Sequence, residues 1–306
     1  RQANDLKVVT PDIQGAYGAC EPVIINRRDG RVWMLIRTQM GRFYESFSPD
    51  GAVWSTPRPM NILSSDSPAG IVRLADGRLV LVWNNCLRYP YAYGGRQVIH
   101  AAISEDDGAT WRGFREVGWD PKRFDPPPPG GDFGTAYPYP VVTADDKVLI
   151  STGQGPGRNL LIRLDPAYLS ATRQRADFDR GIDGWSTFGT RGVGLIDHPD
   201  GNAGRVLQLQ RTDPEFPAAA VWNFPMGQRG QIRLRFRIPP GGHGTHLGLT
   251  DHFSVPFDME DVFNNVFHLR LFPADTAAPA DPLSGSGNLP AMPGQSHELK
   301  LKWDSR

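Results

Sequence analysis

The chain has 306 residues, 39% hydrophobic and 22% charged, which marks a globular protein and allows about two domains. Lysine plus arginine (33) balances aspartate plus glutamate (33), so no bulk charge draws nucleic acid or an anionic membrane, and no apolar run reaches the ~18 residues of a membrane span. Two cysteines, Cys20 and Cys86, exclude a disulfide scaffold and read as free buried thiols, while 34 glycines and 28 prolines favour tight turns over long helices.

In chain order, the sequence opens at Arg1, and its closing segment, 297–303, alternates polar and apolar residues up to Arg306; it reads as cut inside a domain at both ends. Between residues 20 and 165, short apolar or alternating runs predict strands at 22–26, 32–37, 42–48, 70–74, 79–83, 98–104, 139–143, 148–152 and 160–164. Asp29-Gly30, Asp50-Gly51 and Asp76-Gly77 separate them as hairpin-type turns. No helical period is sustained, so this part is an antiparallel meander.

The meander repeats. DGRVWMLIRT at 29–38 resembles DGRLVLVWNN at 76–85, and each is followed by a strand ending in a related turn. Ser48-Pro49-Asp50-Gly51-Ala52-Val53-Trp54 is the first turn; Ser104-Glu105-Asp106-Asp107-Gly108-Ala109-Thr110-Trp111 is the second, 56 residues on. That spacing suits one four-stranded propeller blade. An Asp at the third position accepts backbone N–H bonds across the turn, the Gly takes positive φ, and the Trp packs between blades. These are structural roles. Residues 112–135, with Pro126–Pro129, are expected to form a long loop that lines a site or is partly mobile.

Near 165–177 one short helix is expected. A second β region follows, with strands predicted at 206–210, 218–224, 231–238, 246–250, 266–271 and 298–303; QIRLRFRI at 231–238 alternates as a sandwich strand should. The fold class is therefore all-β. Residues 1–171 are expected to be propeller blades, and 172–306 an incomplete antiparallel β-sandwich.

The stretches CEPVIINRRDGRVWMLIRTQMGRFYESFSPDG, SPAGIVRLADGRLVLVWNN, RQVIHAAISEDDGATW and AYPYPVV with DDKVLI stand in one order over residues 20–165. In them the chain resembles the sialidase (neuraminidase) superfamily, in its bacterial branch of BNR or Asp-box repeats. The resemblance implies about three blades of a six-bladed propeller and a lectin-like, jelly-roll sandwich that docks the propeller on carbohydrate or packs against it. It also implies an exo-sialidase-like glycoside hydrolase, secreted or periplasmic, with an acidic saccharide as partner and no cofactor.

The resemblance carries specific residues. Glu21, followed 16 residues later by Arg37, matches the family's Glu–Arg pair on neighbouring strands; Arg96 stands where another pocket arginine is placed; Tyr137 or Tyr139 falls where the nucleophilic tyrosine is kept. Both tyrosines are read as pointing to one strand face. The types suit the chemistry. Guanidinium groups bind a sugar carboxylate through planar, charge-assisted hydrogen bonds. A phenol attacks beside that carboxylate without the repulsion a carboxylate nucleophile would meet, and sialidases are such an exception. A phenol with pKa ~10 needs a base, which Glu21 supplies.

The family's first triad arginine and its acid/base aspartate come from blades ahead of Glu21, so a longer parent or an incomplete site is expected. Asp12 has no context for that role. The site is expected to be electropositive, and the isolated chain, with its outer blade faces bare, not to fold as a stable monomer. His243 and His246 read as loop residues, with Asp251 and His252 close behind; Asp258, Glu260 and Asp261 read as solvated acids, and no metal site is assigned. Two alternatives remain open. One is a non-catalytic, saccharide-binding propeller. The other is a propeller that cleaves a different acidic sugar, such as a uronate, by hydrolysis or lyase chemistry.

Overall fold

The computed structural model describes residues 18–85, 96–123, 125, 132–182, 184–187, 192–214, 218–225, 227–250, 253, 265–277 and 287–304. Cys86, Asp12, Pro126–Pro129, Asp251, His252, Asp258, Glu260 and Asp261 lie outside them. Among the described residues no helix is long and apolar enough to cross a membrane. They fall into two compact units, the first running to Pro225 and including Phe253, the second formed by the rest. The boundary expected near 172 thus falls within the first unit.

The first unit begins with a four-stranded antiparallel meander, β1 Cys20–Asn26, β2 Val32–Arg37, β3 Arg42–Ser48 and β4 Arg58–Leu63. A second follows in the same order, β5 Gly70–Arg73, β6 Leu79–Trp83, β7 Val98–Ser104 and β8 Arg112–Trp119. A three-stranded sheet comes next, β9 Tyr139–Val142, β10 Val148–Thr152 and β11 Leu160–Leu164. In each, sequence order is spatial order, which is how propeller blades are built.

The second blade explains the packing. All five residues of β6, LVLVW, are buried. Strand side chains alternate between faces, so a strand covered on both sides reads as a continuous apolar run. Leu79, Leu81 and Trp83 join Trp33, Leu35, Phe43, Met60 and Ile62 of the first blade in one cluster. Val80 and Val82 join Ile99, Ile103, Val148 and Ile150 in the next, which reaches the third sheet.

The Asp-box turns join the third and fourth strands of the first two blades. Asp50 Oδ1 accepts from the backbone N–H groups of Ala52 and Val53, both at 2.9 Å. Asp106 Oδ1 accepts from Thr110 N at 2.7 Å, and Trp111 Nε1 donates to Gly108 O at 3.1 Å. Gly108 has φ 91°, and a Cβ there would lie 2.7 Å from the Trp33 ring, so backbone conformation and the neighbouring blade both demand glycine. Asp107, beside it, accepts from Arg28 N at 2.8 Å and pairs with Arg27, lacing this turn to the first blade, and also pairs with Arg73 of its own blade.

One expectation fails here. Residues 112–119 are not loop but β8. The strand is bulged, with register shifts against β7 and Phe114 at φ 47°, so RGFREVGW shows no period of two. The short helix expected near 165 is a single 3-10 turn, Pro166–Ser170, capped by Asp165.

Two small hairpin-like pairs complete the first unit. β12 Trp185–Thr187 pairs with β15 Ala220–Trp222, and β13 Val193–Asp197 with β14 Arg205–Leu209. Asn223, just after β15, donates to the buried Glu116 of β8 at 2.6 Å, which ties this segment to the second blade. Burial pushes the Glu116 carboxyl up to about 7 despite this bond and one from Trp119.

The second unit pairs β16 Arg229–Arg237 along its full length with β20 Ser296–Asp304. Its other sheet is β17 Thr245–Leu249, β18 Phe267–Pro273 and β19 Gly287–Ala291, where β18 and β19 run parallel and the remaining pairing is antiparallel. Phe236 and Leu299 of the first sheet meet Leu247, Leu269, Leu271 and Leu289 of the second, giving a sandwich core.

Candidate active site

In a meander every other strand end lies at the same edge. Glu21 at the start of β1, Arg37 at the end of β2, Arg96 just ahead of β7 and Tyr137 just ahead of β9 all fall at the edge opposite the Asp-box turns. β1 is irregular at this point. Its register against β2 shifts after Cys20, and Glu21 takes φ 44°. Tyr137 has φ 61°. Left-handed backbone on residues other than glycine is strained and persists where the surrounding structure holds it. Here it aims two side chains at each other.

The Tyr137 hydroxyl donates to Glu21 Oε1 at 2.8 Å. Arg37 Nη1 donates to Glu21 Oε2 at 2.5 Å and to the Tyr137 hydroxyl oxygen at 3.0 Å, which closes a triangle. Burial pushes the Tyr137 phenol above its ordinary pKa, the Glu21 carboxylate adds to this, and Arg37 pulls against both. Burial likewise raises Cys20, a free thiol that pairs across the sheet with Arg37.

Tyr139 is not part of the triangle. It opens β9, pairs with Ser151 and is 67% exposed. The rule that residues two apart share a strand face does not hold for 137 and 139, because Tyr137 precedes the strand in left-handed backbone.

Arg96 is 0% exposed. Its Nη1 donates to Asp132 at 2.7 Å and Gln154 at 3.0 Å, and Nη2 donates to the Asp66 main-chain oxygen at 2.6 Å. Its guanidinium carbon lies 6.0 Å from the Tyr137 ring centre. Gly134 makes room for it: a Cβ there would sit 2.3 Å from Arg96 O.

Sequence reasoning missed Asp66, Gln39, Asp132 and Gln154. Asp66 Oδ1 accepts from Arg37 Nε at 2.7 Å, and Oδ2 from Gln39 Nε2 at 3.2 Å. In the sequence Asp66 stands in Ser64-Ser65-Asp66-Ser67-Pro68, which signals only a turn. Among the described residues, Arg37 and Arg96 face Glu21, Asp66 and Asp132, one acid more than base. A surface cleft of about 210 Å³ lies elsewhere, lined among others by Glu116, Trp119, Ile162 and Tyr168.

Residues 5–150 match the BNR repeat-like domain. Over this stretch the chain is similar to that family. No curated protein matches the sequence significantly. Among solved structures, the chain is similar to the intramolecular trans-sialidase of Ruminococcus gnavus, at 17% identity and TM-score 0.39, over 52% of this chain and 35% of that one. It is also similar to the Trypanosoma rangeli sialidase, at 14% identity and TM-score 0.33, over 94% of this chain and 52% of that one. An alpha-L-arabinofuranosidase of Clostridium thermocellum matches at 13% identity and TM-score 0.35, over 65% of this chain and 71% of that one. The chain thus spans about a third of the trans-sialidase and about half of the trypanosomal sialidase.

Proposed function

We propose that this chain supplies the nucleophile half of a retaining glycoside hydrolase acting on sialosides or related acidic glycans. One observation carries the reading: the Tyr137 hydroxyl is 2.8 Å from Glu21, with Arg37 Nη1 bonded to both. Because its pKa is raised, the phenol does not ionise in advance. Its proton passes to Glu21 as the oxygen attacks the anomeric carbon and the glycosidic bond breaks. Negative charge then moves from Glu21 toward the forming bond. Arg37 touches both ends of that path, so its favourable interaction persists throughout. In the second half the conjugate base of the acid that protonated the leaving oxygen takes a proton from the attacking water, Tyr137 departs, and Glu21 returns its proton to the phenol oxygen. The acid that protonates the leaving oxygen is not assigned among the described residues.

A second reading has its own support. Arg96 is fully buried and bonded at both terminal nitrogens, an arrangement that also suits a propeller whose sugar is held without it, such as one cleaving another acidic glycan or only binding one. The test is turnover of an activated sialoside beside uronate oligosaccharides, followed by mass spectrometry after reaction with a fluorinated, activated sialoside. The sialidase reading expects a covalent adduct on Tyr137, its loss in Tyr137→Phe, and little change in Tyr139→Phe. Uronate cleavage without sialoside cleavage selects the second reading.

A further inference from the structure

Asp66 lies on the connection between β4 and β5, buried, and outside the Glu21–Arg37–Tyr137 triangle. It nevertheless touches both arginines. Its carboxylate accepts from Arg37 Nε at 2.7 Å and from Gln39 Nε2 at 3.2 Å, and its main-chain oxygen accepts from Arg96 Nη2 at 2.6 Å. A guanidinium is planar, so a fixed Nε sets the plane and with it the direction of Nη1. Nη1 is the nitrogen that meets Glu21 and Tyr137.

We infer that Asp66 is a positioning residue for the reaction proposed above: it orients Arg37 so that Nη1 stays bonded to the Tyr137 oxygen, and the same loop locks Arg96 under the Tyr137 ring. The inference takes the reaction from that proposal, but its geometric content stands apart. Among the described residues, three charged groups face the phenol: Glu21 from β1, Arg37 from β2 and Arg96 from the segment ahead of β7. Of these, Arg37 donates a hydrogen bond to the phenol oxygen, which favours the phenolate that must form and later leave. A side chain that aims this donor therefore tunes the nucleophile without touching it.

Two roles for Asp66 predict opposite signs, which makes the test decisive. If Asp66 acts only as a nearby negative charge, Asp66→Asn removes repulsion and the Tyr137 pKa falls. If it orients Arg37, the substitution loosens the donor and the Tyr137 pKa rises, by about one unit. The titration is read in the whole protein by carbon-13 NMR of labelled tyrosine, with the resonance assigned through Tyr137→Phe. In an Arg37→Lys background, Asp66→Asn is expected to cause no further rise. With substrate, kcat/KM falls about 10- to 100-fold. Should Asp66→Asn fail to fold, Gln39→Leu loosens the other carboxylate oxygen and gives a smaller rise of the same sign. A falling or unchanged Tyr137 pKa overturns the inference. Absence of any glycoside turnover overturns the proposed function but leaves the titration to decide this point.

Discussion

The two ends of the first two blades use the same charge chemistry in opposite ways. At the Asp-box end, one buried aspartate, Asp107, gathers Arg27, Arg73 and the Arg28 backbone, and its cations reach toward solvent. At the other end, two buried arginines gather the acids. Arg37 and Arg96 are inside, while two of their partners, Glu21 and Asp132, keep side chains 39% and 46% exposed. A buried ion cannot leave its site without a large desolvation imbalance, whereas a half-exposed partner can be exchanged for water or for another anion. The first arrangement is a clasp. The second holds its cations fixed and leaves two of their partners half-exposed, which suits the anionic glycan proposed above.

The contrast can be broken at several strengths. Glu21→Gln keeps the shape of the triangle and removes its base. Turnover in the complete enzyme should fall about 10³-fold with a milder effect on KM, read in steady-state kinetics. A loss under tenfold would reduce the exposed acid of this end to a surface ion. Arg37→Ala is next. It strands Asp66 as a buried carboxylate, and chemical denaturation should show a loss of about 3–5 kcal/mol along with weaker substrate binding. Asp107→Ala is the matching change at the clasp. Its arginines can turn to water, so the expected cost is about 1 kcal/mol. Equal costs at the two ends would abolish the distinction.

Acid–base behaviour sharpens it further. Glu116 has a folded pKa of about 7, above the ordinary 4.5, so the folded state holds the extra proton. Its stabilising contribution is complete below 4.5 and is lost as pH rises through 7, about 3 kcal/mol in all. Glu116→Gln should flatten that part of the stability profile between pH 5 and about 8. Asp107 goes the other way. Burial pushes its carboxyl up, but the Arg28 N–H and Arg73 outweigh this and hold it below 3.8. Its contribution is present above 3.8 and lost as pH falls through the lower folded value, a smaller effect seen in acid titration of Asp107→Asn.

What was legible in the sequence follows from the same physics. β6 was readable because a strand covered on both faces must be apolar throughout. The Asp-box turns were readable because their hydrogen bonds are local. The resemblance named Glu21, Arg37 and the tyrosine pair as candidates, while which tyrosine meets Glu21 depended on a positive φ that no residue pattern announces. β8 was hidden by its bulges. β12 has only three residues, and β19, GNLPA, pairs in parallel across a distant connection. Asp66 was invisible because its importance comes from two arginines that arrive from other strands.

The division of β6 between two clusters has a mechanical consequence. Leu79, Leu81 and Trp83 report to one side and Val80 and Val82 to the other, yet all five share one rigid backbone. A void opened on either side is transmitted to both neighbouring sheets. Leu81→Ala, for example, should cost 2–5 kcal/mol and raise amide exchange in β2 and β10 together, not in β2 alone. The strand works as a keystone, and the site edge of the first and third sheets keeps its alignment only while that stone is in place.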